Sequence, residues 1–183
     1  LIDYAKRNPG KLSFPHTGSG LALHLIGESF NQAAGVDLLA VPYKASGSTL
    51  VGDFLAGRVH VYFAALGTVR PHLGPGKVKL IGVVNNTRIR QLPDVPTVNE
   101  TLPDYYNIAA WFGFLGPAGL PAPIATRIAA ETRKALDDPQ VTAQVEAFGV
   151  FIVGSTPSEF TTIIQRESDV MGRLIKSLGI VPE

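Results

Sequence analysis

An α/β fold with a largely parallel sheet is predicted by two features of this chain. Apolar runs of strand length, such as "VDLLAVPY" and "KVKLIGVV", alternate with short helical patterns. Two turns of small residues, "PHTGSG" and "KASGSTL", each follow a strand and open into a helix, as βαβ units do.

The elements follow in order. Residues 3–8 read as a helix tail closed by Pro9-Gly10. "KLSF" reads as a short strand, then comes the first glycine turn, then a helix over residues 19–34 ending at Gly35. "VDLLAVPY" is apolar and bounded by turn signals, hence a buried strand. The second small-residue turn leads to a helix over 48–56 with Leu50, Phe54 and Leu55 inward. "RVHVYFAAL" reads as a strand, "GTVRPHL" as a short helical turn, and "KVKLIGVV" as a further strand, giving this part four strands. Residues 87–107 form a long polar connection with Pro93, Pro96 and Pro103. "IAAWFGFLGPAGLP" is an apolar strand broken by proline and glycine.

The texture then changes. A helix over 122–136 enters through Pro121, and a second begins with Asp138 as N-cap and Pro139 in the first helical position. "VFIVG" reads as a strand, and Thr156 with Glu159 forms a capping box. The last helix repeats apolar residues at Phe160, Ile163, Ile164, Met171, Leu174, Ile175 and Leu178, a stripe made to face a core. This second part has three helices but few strands to cover them.

Composition bounds the function. A chain with 45% apolar and 17% charged residues has the makings of a core. A net charge of +1 gives no general attraction to nucleic acid. The absence of cysteine excludes disulfides, thiolate metal sites and cysteine nucleophiles. The start at Leu1 reads as the middle of a helix, so the chain is expected to be a piece of a longer one.

Most chemical motifs fail on spacing. Gly18 and Gly20 match G-x-G, but Leu23 stands where a dinucleotide fingerprint needs its third glycine. A P-loop needs G-K-[ST], which is absent. His16, His24, His60 and His72 have no metal-ligand spacing, and each reads as a packed or rim histidine. No G-x-S-x-G occurs, and the acids are scattered. Neither a cofactor nor a catalytic constellation is expected. What remains is the pair of turns. A turn that ends in a helix N-terminus offers unpaired backbone N–H groups and the positive end of the helix dipole, an anion site that needs no charged side chain. Thr17, Gly18, Ser19 and Gly20 would form one cradle, and Ala45, Ser46, Gly47 and Ser48 the other. Ordinary strand-to-helix turns are the alternative.

Six stretches in one order carry a resemblance: "NPGKLSF…GSG…HL", "GVDLLAVPYK", "LAGRVHVYF", "LPDVPTVNE", "WFGFLGPAGLP" and "GSTPSEF". Over essentially the whole chain they resemble the Bug-type (TctC-like) periplasmic solute receptors of tripartite tricarboxylate transporters. The resemblance implies a two-lobed, Venus-flytrap fold of the periplasmic binding protein type II class. It implies that residues 1–108 are most of the second lobe, and that 109–183 are the hinge crossing and the returning C-terminal part of the first. It implies a periplasmic receptor, not an enzyme, that holds a small carboxylate largely through backbone N–H groups and passes it to the membrane components of the transporter.

Carried over loop by loop, the resemblance places His16, Thr17, Gly18, Ser19, Gly20, Leu21 and Ala22 in one ligand loop. Ala45, Ser46 and Gly47 fall in the next, and Ala64 at a third strand end. Relatives often carry an acidic or amide residue at the Ala64 position and hydroxyl residues where Leu21 and Ala22 stand. These departures imply a less polar acid. Two other readings are an α/β enzyme acting on a small anion and a sensory receptor without a transporter. Because the second part lacks strands to cover its helices, the chain is also expected to self-associate.

Overall fold

The computed structural model describes residues 1–43, 47–74, 76–108 and 111–180. The chain divides into two compact units. The first comprises Leu1–Ala64, His72–Ala110 and Met171–Glu183; the second comprises Ala65–Pro71 and Trp111–Val170.

In the first unit, α1 (Ile2–Arg7) leads to β1 (Ser13–His16), α2 (Ala22–Ala34), β2 (Leu39–Pro42) and α3 (Gly47–Leu55). The two strands pair in parallel, with Ser13 opposite Leu39 and His16 opposite Pro42. The turn from α2 into β2 has a local cause. Gly35 takes the left-handed conformation at φ 60° and closes α2. The Asn31 side chain then pairs with Leu38 like a strand neighbour: its Nδ2 donates to the Leu38 carbonyl and its Oδ1 accepts the Leu38 N–H, both at 2.9 Å.

All four residues of β1 are buried. Phe14 is fully enclosed, with Phe63 at 5.9 Å between ring centroids, and Phe63 in turn meets Phe30 at 5.8 Å. These aromatics, with Ala5, Ala34, Leu38, Val61 and Tyr105, make one core. A second cluster centres on Leu25, Ile26 and Ile108.

Four predicted strands form no ladder among the described residues. "RVHVYFAAL" lies along β1 through the N–H groups of His60 and Val61, which both donate to the Ser13 carbonyl at 3.0 Å. "KVKLIGVV" makes only single-residue bridges, of Val78 with Leu73 and Gly74 and of Val83 with Thr97. The stretches at 111–116 and 150–153 join no ladder among the described residues, and Phe112, Phe114 and Val153 are exposed. A strand is a property of two neighbouring segments, and these lack the second one. The α/β class with a parallel sheet stands. The 19–34 helix starts later than predicted, at Ala22. Leu55 is exposed rather than inward, while Leu50 is buried.

The second unit holds α4 (Leu66–Val69), α5 (Ala122–Leu136), α6 (Pro139–Ala147) and the first part of α7 (Pro157–Ser177). Asp138 caps α6 as predicted, its carboxylate accepting the Gln140 N–H at 2.8 Å. The Thr156 N–H donates to Glu159 Oε2 at 2.8 Å and the Glu159 N–H to Thr156 Oγ1 at 3.3 Å, closing the predicted capping box. Trp111 packs edge-on against Phe160 at 4.9 Å. The end of α7, from Met171, belongs to the first unit, where Met171, Leu174, Ile175 and Leu178 pack on the Leu25 cluster. The apolar stripe of the last helix is thus half covered, not bare as its lack of predicted strands suggested. Among the described residues no helix is long and apolar enough to cross a membrane.

Candidate anion-binding turns

The first turn leaves β1 at His16 and delivers the chain to α2 at Ala22. Its two glycines have steric reasons of their own. Gly20 sits at φ 75°, a region L side chains rarely adopt. A Cβ on Gly18 would lie 2.9 Å from Leu21 Cδ1, so the side chain of Leu21 folds back over a bare glycine. The Leu21 N–H returns to the Gly18 carbonyl at 3.2 Å.

The remaining donors point to a use. Among the described residues, no protein acceptor takes the N–H of Thr17, Gly18 or Ser19, or of Ala22, Leu23 or His24 in the first turn of α2. Leu21 occupies the N-cap position and supplies no side-chain cap. No acidic residue stands in the first turn of α2 to neutralise the dipole. Thr17, Ser19, Leu21 and Ala22 are exposed, and Gly18, Leu23 and His24 are half-buried.

Gly20 is the exception. Its N–H donates to Nδ1 of His24 at 3.0 Å. The His24 ring stacks on His16 at 4.4 Å between centroids, and its Nε2 lies 3.7 Å from Glu28 Oε1. Burial and the neighbouring His16 together hold His24 below the ordinary imidazole range, and burial pushes Glu28 above the ordinary carboxylate range. His16 itself is 3% exposed, and its Nδ1 has no partner among the described residues. The sequence carries no signal for this arrangement beyond the i, i+4 spacing of His24 and Gly20.

β2 ends beside the start of the first turn. His16 is opposite Pro42 in the ladder, and the Tyr43 N–H donates to the His16 carbonyl at 2.8 Å. The two strands therefore end at the same, C-terminal edge of a parallel ladder, the usual ligand end of such sheets. Ala45 and Ser46 lie outside the described residues; α3 begins at Gly47, again with no acid in its first turn. Tyr43, next after β2, donates from its hydroxyl to Asp53 Oδ2 at 3.0 Å, and Arg58 Nη1 donates to the other oxygen of Asp53 at 2.6 Å. Ala64 is half-buried at the end of the segment whose Val61 meets Ser13 and whose Phe63 meets Phe14. Among the described residues no group of three or more His, Cys, Asp or Glu could hold a metal.

The parallel ladder of β1 and β2, with helices leaving its C-terminal end, gives an α/β arrangement that solved structures share. A protein described as a periplasmic transporter superposes with a TM-score of 0.83 at 34% identity, covering 98% of this chain and 59% of that one. The R. palustris protein Rpa4515 with adipate superposes at 0.85 and 29% identity, covering 100% and 61%. MatC from Rhodopseudomonas palustris with bound malate superposes at 0.75 and 26% identity, covering 95% and 60%. The model of the tripartite tricarboxylate transporter family receptor, TctC, matches residues 1–180, and this chain belongs to that family. Among curated relatives, a UPF0065 protein from the tcbD-tcbE intergenic region of Pseudomonas sp. strain P51 is 34% identical over 177 residues, 96% of this chain and 52% of its own length. The Bordetella pertussis protein BugT is 26% identical over 98% of this chain and 55% of its own length. The chain thus spans about half the length of these curated relatives.

Proposed function

We propose that this chain is the solute-binding part of a periplasmic receptor that captures a small carboxylate and delivers it to the membrane components of a tripartite tricarboxylate-type transporter. One observation carries the reading of the site: among the described residues, the N–H groups of residues 17–19 and 22–24 have no protein acceptor, at the positive end of a helix that has no acid in its first turn. Membership of a receptor family supports the transport role, and relatives that hold adipate and malate support the carboxylate. Residues 1–108 would form most of one lobe, with 109–183 as the crossing and the returning part of the other.

The ligand-facing departures set the preference. Leu21, Ala22 and Ala64 offer no side-chain donor to a hydroxyl, so an acid with a plain methylene chain fits better than a hydroxy acid. Adipate should bind more tightly than malate, and neither should be turned over. Isothermal calorimetry with both acids tests this against Gly20→Glu, which places a bulky like charge in the cradle. Loss of adipate binding in the variant supports the site. Binding that survives Gly20→Glu places the ligand elsewhere, and chemical conversion of either acid favours an α/β enzyme instead.

A further inference from the structure

Gly20 is the single donor of the first turn that the protein uses for itself on a side chain, and the acceptor is a titratable ring. We propose that His24 is a positioning residue whose unprotonated Nδ1 holds the Gly20 amide and so couples the shape of the 17–21 turn to a proton on the imidazole. The proposal deepens the carboxylate reading, but the brace itself is defined without any ligand.

The geometry sets the tautomer. Nδ1 accepts from the Gly20 N–H at 3.0 Å, so it carries no proton, and the ring hydrogen of the neutral form sits on Nε2, 3.7 Å from Glu28 Oε1. The ring cannot easily move away. His16 stacks on it at 4.4 Å and is itself buried at the end of β1. On the same helix, Glu28 is held by Asn31 Nδ2 at 3.4 Å. Beyond α2, Asp37 acts on Glu28. The end of α7 and the residues after it bring Leu174, Ile175, Leu178 and Ile180 to the adjoining Leu25 and Ile26 cluster, with Ile180 Cγ2 3.8 Å from where a Cβ on Gly20 would stand. The groups that bear charge toward His24 are therefore His16 and Glu28.

Protonation at Nδ1 turns an acceptor into a donor facing another donor, and the Gly20 bond must open. The imidazolium then leans on Glu28 alone. Burial and the stacked His16 ring both disfavour a positive charge on His24. The lowered basicity of His24 keeps the brace closed at neutral pH and opens it in acid. An opened brace frees the Gly20 N–H and relaxes the positive-φ turn at the same step.

Nuclear magnetic resonance on the ¹⁵N-labelled chain, with no ligand present, tests this. The expected result is a neutral His24 with its proton on Nε2, and a Gly20 amide shift that titrates with the same midpoint as the His24 ring. In His24→Gln, which keeps an acceptor but no titration, the Gly20 shift should lose that pH dependence. A His24 ring protonated at Nδ1 in mildly alkaline solution, a Gly20 amide that does not respond to pH, or a response that persists in His24→Gln would each overturn the proposal. The ring tautomer and the Gly20 titration are read in the unaltered protein, so they stand even if the variant does not fold. Since no ligand enters, failure here leaves the carboxylate reading to its own calorimetric test.

Discussion

Gly27 presents its bare Cα to the ring of Phe14: a Cβ at that position would lie 2.1 Å from Phe14 Cε2. α2 can approach β1 this closely only because position 27 has no side chain. Phe14 cannot give way, since it is fully enclosed and wedged against Phe63. Gly27→Ala should therefore destabilise the chain by about 1–3 kcal/mol of overpacking, less the ~1 kcal/mol that alanine gains over glycine in a helix. A lower denaturation midpoint with an unchanged slope would show it. A midpoint that rises would mean the α2–β1 approach is looser than described.

The opposite result is expected at Gly52. It lies inside α3, is exposed, and a Cβ there meets nothing within 4 Å. Gly52→Ala should stabilise by roughly 0.5–1 kcal/mol. Gly20→Ala, at φ 75°, should cost about 1–2 kcal/mol because an L residue is strained there. Thermal melts of the three alanine variants side by side should separate the one glycine that is dispensable from the two that are not.

Glu100 should titrate far into acid. Arg88 donates to both its oxygens, at 2.8 and 2.6 Å, and the Thr97 N–H donates to it at 2.8 Å. The Arg88 bonds first, and the Thr97 bond second, pull its carboxyl down to about 2. A depressed carboxylate adds stability above its ordinary value and loses it as pH falls through the folded one. The contribution should thus be complete above 4.5 and fade toward about 2. Carboxyl carbon shifts followed against pH would check it, and Arg88→Ala should return the midpoint toward the ordinary value.

Self-association is expected through the second unit. Phe112, Phe114 and Leu115 are 85%, 77% and 72% exposed in one short stretch, and Phe148 and Val153 are nearly as bare. Apolar surface of this kind usually finds a partner. Light scattering over a concentration series should give a mass that rises with concentration, and Phe112→Ser with Phe114→Ser should lower it. A monomer at every concentration would show that the stretch tolerates water.

The helices were legible because their signals are local. Asp138-Pro139, Thr156 with Glu159, and Gly35 each mark a helix end with chemistry confined to a few residues, and each stands where predicted. The strands were less so. "VFIVG" and "WFGF" have strand composition, but whether a ladder forms depends on a neighbour that no local pattern reveals. The site shows the same division. Glycine spacing marked the turn at 17–20, whereas the stack of His16 on His24 needs β1 and α2 to be brought together in space. The late start of α2 has a related cause. Leu21 caps without a side-chain bond and Gly20 turns through positive φ, so three residues that a helical pattern would include become the loop.

The central claim is that the donors of residues 17–19 and the first turn of α2 receive a small carboxylate. Amide shift mapping of the ¹⁵N-labelled chain with adipate tests it most directly, because it reads weak binding residue by residue. The account predicts that the amides of Thr17, Gly18, Ser19, Ala22 and Leu23 move together and saturate on one isotherm, with smaller and later movement for malate. Shifts that saturate elsewhere, or these five amides staying in place while adipate binds, would contradict it.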